Sequence, residues 1–229
     1  MIKQLFKRAA LGLALAAAAF VGSTSSAQAS FSHPLSFFTS GGSDTNNGLL
    51  YSNFTYVPSS ATGVPLPPAS SITVVGTTIF GLDVLQFFVS ASVGTGKDLD
   101  MAFGYDVTVV SGPLITDAHL FTTGGVTGNG FYNVADTFLF PDFTAAFLTA
   151  SNLVPNKLVI FGKSYASVHV LKDAQLNGGT TAGSSASLSI ITQGLSRGVV
   201  PEPASMAMLA MGGIGMIGAA RRRRNKAQA

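Results

Sequence analysis

Met101-Ala102-Phe103-Gly104-Tyr105-Asp106-Val107-Thr108-Val109-Val110 puts Phe103, Tyr105, Val107 and Val109 at every second position, with smaller or polar residues between them. A period of two sends alternate side chains to opposite faces, so the stretch reads as a strand with one apolar face. Further β-prone runs flank it on both sides, over residues 71–80, 83–93, 115–122, 131–140, 157–161, 164–171 and 187–192. Glycine-rich punctuation separates many of them: Gly94-Thr95-Gly96, Gly124-Gly125, Gly128-Asn129-Gly130 and Asn177-Gly178-Gly179. Short strands at such spacing, with turn signals between them, predict an all-β fold, an antiparallel β-sandwich of jelly-roll or Ig-like type.

Two stretches resist this pattern. Residues 142–152 read equally as a short helix capped by Asp142 or as a strand with a loop. Residues 57–69 hold Pro58, Pro65, Pro67 and Pro68, which lack backbone donors, so an extended connection is expected there, setting off a small N-terminal hairpin region. The pairs Phe37-Phe38 and Phe87-Phe88 are expected to place one ring on each side of a strand.

The ends of the chain differ sharply from this body. Lys3, Lys7 and Arg8 precede an apolar run over residues 11–21, and Ala27-Gln28-Ala29 supplies an A-x-A cleavage site, the pattern of a secretory signal peptide. At the other end, Val199-Val200-Pro201-Glu202-Pro203-Ala204-Ser205 leads into uncharged residues 204–220 and then Arg221, Arg222, Arg223 and Arg224. Seventeen uncharged residues lie at the short end of what a membrane-spanning helix needs. The four arginines are a stop signal retained on the cytoplasmic side. The expected organisation is a signal peptide over 1–29, an exported β-sandwich domain over 30–198, and a sorting region over 199–229 with a single transmembrane helix.

Charge must be read with the ends removed. The whole chain carries +3, yet residues 30–203 hold five basic residues against ten acidic ones, a net charge of −5. Binding to nucleic acid through a basic face has no support, and the arginine run belongs to membrane topology. The chain has no cysteine, which excludes thiol catalysis, thiolate zinc sites and disulfides.

The tail resembles the PEP-CTERM sorting signal: Pro201-Glu202-Pro203, a short hydrophobic segment and the arginine cluster stand in order at the C-terminal end beside a signal peptide. The resemblance implies recognition of Pro201, Glu202 and Pro203 by an exosortase-like membrane protease, in Gram-negative bacteria that make extracellular polysaccharide. It also implies a precursor anchored transiently in the inner membrane, then delivered to the envelope surface or the extracellular matrix.

The body itself offers little chemistry. His33, four residues past the cleavage site, is expected to be flexible, while His119 and His169 sit in strand-like runs and are expected to be satisfied locally. No GxSxG elbow places a serine beside a base, so pairing His119 with Asp117 and a serine has no signature behind it. Asp98 and Asp100, two apart on a strand, share a face and are weak candidates for a cation such as calcium. Glu202 is the chain's one glutamate, which lowers the case for two-carboxylate glycosidase chemistry. With no Trp, the aromatic candidates for stacking on sugars are Tyr51, Tyr56, Tyr105, Tyr132 and Tyr165, the last-but-two and last being more suited to packing. The expected function is a non-enzymatic surface or matrix protein without a cofactor, associated with exopolysaccharide or biofilm. The alternatives are a lectin-like carbohydrate-binding module, calcium-assisted through Asp98 and Asp100, and, ranked last, an exported hydrolase.

Overall fold

The computed structural model describes residues 29–79 and 81–198. The signal-peptide core with Ala27, the apolar run, Pro201, Glu202, Pro203 and the four terminal arginines lie outside the described residues, whereas Ala29 opens the first strand. Among the described residues, no helix is long and apolar enough to cross a membrane.

The described residues form twelve strands: β1 (Ala29–Pro34), β2 (Asp44–Asn46), β3 (Leu49–Ser59), β4 (Thr73–Ile79), β5 (Leu82–Gly94), β6 (Asp98–Val109), β7 (Ile115–Thr127), β8 (Phe131–Leu139), β9 (Ala145–Ser151), β10 (Asn156–Tyr165), β11 (Ser167–Asn177) and β12 (Ser185–Arg197). They make two six-stranded antiparallel sheets, ordered β1-β4-β5-β12-β7-β10 and β2-β3-β6-β11-β8-β9. Within them the last eight strands pair as nested antiparallel partners: β8 with β9, β7 with β10, β6 with β11 and β5 with β12. One long hairpin folded over on itself gives this order, which is the jelly roll. The Ig-like alternative is thereby set aside.

Alternation builds the core as the sequence indicates. On β6, Leu99, Met101, Phe103, Tyr105 and Val107 face inward, while Asp98, Asp100, Asp106 and Thr108 lie on the outer face. Opposite them β5 supplies Leu85, Phe87, Val89, Ala91 and Val93. Phe87 is buried and Phe88 is not, as expected for neighbours on a strand.

Several local expectations fail for physical reasons. Phe37 and Phe38 lie on a five-residue helix, α1 (Leu35–Thr39), which drives Leu35 and Phe38 into the core. Phe38 meets Phe54 there at a ring separation of 4.5 Å, and tertiary packing overrides their β propensity. Residues 142–152 are a turn followed by β9, because the run finds a ladder partner in β8. The residues 164–171 run divides between β10 and β11, with Ala166 between the two strands. Gly124-Gly125 sits inside β7 and marks no turn: a Cβ on Gly124 would lie 2.2 Å from the Ser187 carbonyl oxygen and 2.8 Å from the Tyr132 ring. Pro58 is tolerated within β3 because β2 pairs only with Leu49, Leu50 and Tyr51, leaving the far half of β3 with β6 on one side alone. His33 lies on β1, stacks on Phe37 at 4.4 Å and pairs with Asp44 at 3.0 Å, so its expected flexibility is corrected.

The last strand ends in a polar clamp. Arg197 Nε donates to Asp83 Oδ2 (2.6 Å), Nη1 to the Ser111 carbonyl (3.0 Å) and Nη2 to the Asn47 carbonyl (2.6 Å). Asn47 Nδ2 donates to the other Asp83 oxygen at 2.8 Å. The β2–β3 turn, the β6–β7 loop, the start of β5 and the end of β12 are therefore tied at one point. Removing Arg197 leaves the buried Asp83 carboxylate without its counter-ion. Arg197→Ala is expected to cost about 3 kcal/mol in urea unfolding, part of which Asp83→Asn restores in the double variant.

Candidate functional site

A groove of about 370 Å³ opens on the outer face of the second sheet, lined by β3, β6, β11 and the β8–β9 turn. Strand register assembles it. Ser52, Asp106 and His169 are cross-strand partners in one row, and Thr108 faces Ser167 in the next. His169 Nδ1 contacts Asp106 Oδ1 at 2.5 Å, and Asn53 Nδ2 donates to Asp106 Oδ2 at 2.7 Å. Asn53 reaches this position because β3 bulges between Ser52 and Thr55, holding Asn53 at φ 55°, a left-handed conformation that Asn tolerates better than most residues. Leu139, Phe140 and Pro141 form the apolar wall.

The β8–β9 turn beside this wall displays an aromatic ring. Phe143 is fully exposed and sits at φ 62°, a costly conformation for a bulky residue. The turn is pinned by Asp142, whose Oδ1 accepts from Thr144 N (3.2 Å) and Thr144 Oγ1 (2.5 Å) and whose Oδ2 accepts from Lys163 Nζ (3.0 Å). Hydrogen bonding from Thr144, followed by that from Lys163, pulls the Asp142 carboxyl down to about 2. Asp142 thus caps a turn rather than a helix.

The groove's chemistry is hydrogen bonding. Among the described residues that line it, Asp106 is the one carboxylate and both its oxygens are engaged, so they do not make the two-carboxylate geometry of a glycosidase. Ser52 and Ser167 line the groove, yet no serine hydroxyl bonds to His169 among the described residues. His119 lies on the other sheet, where Asp117 (3.2 Å) and Ser196 Oγ (3.5 Å) approach the same nitrogen, Nε2. A relay needs the carboxylate and the hydroxyl on different ring nitrogens, so this trio is not a triad. Both histidines are satisfied locally, as the sequence indicates.

Asp98 and Asp100 share the outer face of β6 but serve different partners. Asp98 Oδ2 accepts from Ala61 N at 3.0 Å, and hydrogen bonds from Thr62 and Ala61 hold its carboxyl below the usual range. Burial, then hydrogen bonding and charge repulsion with Asp173, raises the Asp100 carboxyl to about 6. No group of three or more metal-binding side chains comes together among the described residues. The tyrosines do not offer ring faces either: Tyr51, Tyr105, Tyr132 and Tyr165 are buried, and Tyr56 packs against the core. The fully exposed aromatic ring beside the groove is Phe143, with Phe147 on β9 also exposed; sequence reading passed over Phe143 because nothing in Pro141-Asp142-Phe143-Thr144 distinguishes a displayed ring from a packed one.

The family model of the PEP-CTERM protein-sorting motif matches residues 199–224. The chain carries a PEP-CTERM sorting signal. It is an exported protein with a C-terminal address, and that address begins immediately after Gly198, the last described residue. No curated protein matches the chain. Among solved structures, TmCBM61 in complex with β-1,4-galactotriose is similar at TM-score 0.30 and 6% identity, covering 60% of this chain and 86% of that one. The enzymatically active domain of bacteriophage CBA120 tailspike protein 4 follows at 0.28 and 11%, covering 63% and 19%. The CBM22-1 xylan-binding domain of Paenibacillus barcinonensis Xyn10C gives 0.21 and 11%, covering 77% and 100%. At these TM-scores the likenesses carry no statement about this chain's ligand.

Asp100 yields a pH prediction. Its folded value lies above the unfolded 3.8, so its contribution to stability is fully present below about pH 4 and is lost as pH rises through about 6. Asp100→Asn is expected to raise Tm relative to the parent at pH 7–8 and to leave it little changed at pH 4, read by thermal denaturation across that range.

Proposed function

We propose that this is a cell-surface or extracellular-matrix protein, acting without catalysis in or beside exopolysaccharide and processed through its Pro201-Glu202-Pro203 signal by an exosortase-like protease. The PEP-CTERM match over residues 199–224 carries this reading. In it, the signal peptide over 1–29 exports the body and is removed after Ala29. Residues 204–220 hold the precursor in the inner membrane, with Arg221, Arg222, Arg223 and Arg224 kept on the cytoplasmic side. Cleavage then releases the body to the envelope surface. The fold is compatible with such a cut: β12 pairs with β5 as far as Leu195 and with β7 as far as Arg197, and Gly198 N donates to the Leu114 carbonyl at 2.9 Å, so a cut beyond Gly198 leaves every described strand in place. Mass spectrometry of the surface-located protein is expected to find a C-terminus upstream of Arg221. Deleting Pro201, Glu202 and Pro203 is expected to leave the full-length tail in the inner-membrane fraction. An unchanged C-terminus and location after that deletion would refute the sorting role.

The groove favours a second reading, a lectin-like site for a neutral polysaccharide. Asn53, His169, Ser52, Ser167 and Thr108 offer donors and acceptors matched to sugar hydroxyls, and Phe143 offers an aromatic face on the adjoining turn. The version assisted by calcium through Asp98 and Asp100 predicts loss of binding in chelator; the groove reading predicts none. Phe143→Gly removes the ring while relieving its positive φ, so stability is expected to hold or rise by about 1 kcal/mol. Affinity for the host exopolysaccharide, measured by calorimetry, is expected to fall about tenfold in this variant and in Asn53→Ala. Undiminished binding in both would place the ligand elsewhere.

A further inference from the structure

The sandwich core contains an amine and a carboxyl in contact. Lys172 on β11 and Asp136 on β8 are direct cross-strand partners with inward-facing side chains, and both side chains are 0% exposed. Nζ lies 2.5 Å from Asp136 Oδ1 and 3.2 Å from Gln193 Oε1, which reaches across from β12 in the facing sheet. Gln193 cannot swing away easily, since its Nε2 donates to the His119 carbonyl at 2.8 Å and the Gly194 carbonyl at 3.3 Å. Among the described residues, the second carboxyl oxygen of Asp136 and the hydroxyl of Tyr105 are buried without hydrogen-bond partners. Burial raises the Tyr105 hydroxyl, and Tyr105 is close enough for the Asp136 charge to raise it further.

As an ion pair this arrangement is expensive, because each charge loses several kcal/mol of hydration and one carboxylate oxygen remains unsatisfied. Burial drives the Asp136 carboxyl up and the Lys172 amine down, each against the pull of its partner. A proton passed from the ammonium to the carboxylate gives a neutral amine held against a neutral carboxylic acid, in a site without bulk water. Fixed contact of this kind replaces a bimolecular encounter and greatly raises the effective concentration of the two groups.

We propose that Lys172 and Asp136 condense into an intramolecular amide joining β11 to β8. The Nζ lone pair attacks Asp136 Cγ and forms the C–N bond. The C–O bond to the carboxyl hydroxyl breaks, and that oxygen leaves as water, carrying the carboxyl proton and one amine proton. No oxidant or co-reactant is consumed. The amide carries no charge, and its remaining N–H can donate to Gln193 Oε1. It removes the two buried ions and closes a covalent loop around β9 and β10 in an exported chain that has no cysteine for a disulfide.

Intact-mass measurement on the purified, folded protein decides the matter without any variant. The expected mass is one water below that calculated from the chain's determined termini, and a tryptic digest is expected to yield a branched peptide joining the β8 and β11 segments, uncut at Lys172. Asp136→Asn is expected to give the same branched product with loss of ammonia, and Lys172→Met neither product nor mass loss. Folded wild-type protein of full calculated mass, with Lys172 cut by trypsin and modified by amine reagents after denaturation, would overturn the proposal.

Discussion

The two-sided pairing of β12 is the constraint on which the rest of the structure depends. β12 lies between β5 and β7, so the final described strand closes a sheet whose other members were laid down earlier in the chain. Its inward residues Ala186, Leu188, Ile191 and Leu195 complete one wall of the core, and Gln193 reaches across to the opposite wall. Such a pairing is non-local, joining residues about a hundred positions apart, so its loop-closure cost falls late and the sheet forms as one unit. The Arg197 clamp then fixes the point where the chain leaves the body for its sorting signal.

The second sheet divides its chemistry by face. Strands β6, β11 and β8 send Tyr105, Lys172 and Asp136 inward and Asp106 and His169 outward, so the same register aligns the buried amine–carboxyl pair and the exposed groove. A one-residue slip would exchange the two sets, burying the groove's charges and exposing the core. Register is pinned on one side by the bulge at Asn53 and on the other by the turn that Asp142 closes.

Much of this fold was legible in the sequence. Alternation at Phe103, Tyr105 and Val107 marked β6, and the runs that became β4, β5, β7, β8, β10, β11 and β12 were visible in the same way. The N-terminal elements were harder, because Pro58 and the polar residues around Asn46 hide strands whose pairing is tertiary. Gly124-Gly125 looked like a turn because sequence does not show the strand that presses against it. The buried pair had a signal that went unread: extending the alternation of Val168 and Val170 by one step places Lys172 on the apolar face, and Tyr132 and Val134 do the same for Asp136. The groove was less accessible. His169 and Asp106 are ordinary strand residues until register sets them opposite each other, and Asn53 joins them only through a bulge.

In the proposed reading the PEP-CTERM tail is an address separable from the β-sandwich body, whose last described strand ends at Arg197. Amide hydrogen exchange on the protein before and after removal of residues 199–229 tests this most directly. The β12 amides of Ser185–Arg197 are expected to be among the slowest to exchange and to keep the same protection without the tail. Loss of β12 protection on removal of the tail would show that the body depends on its address, and would contradict the account.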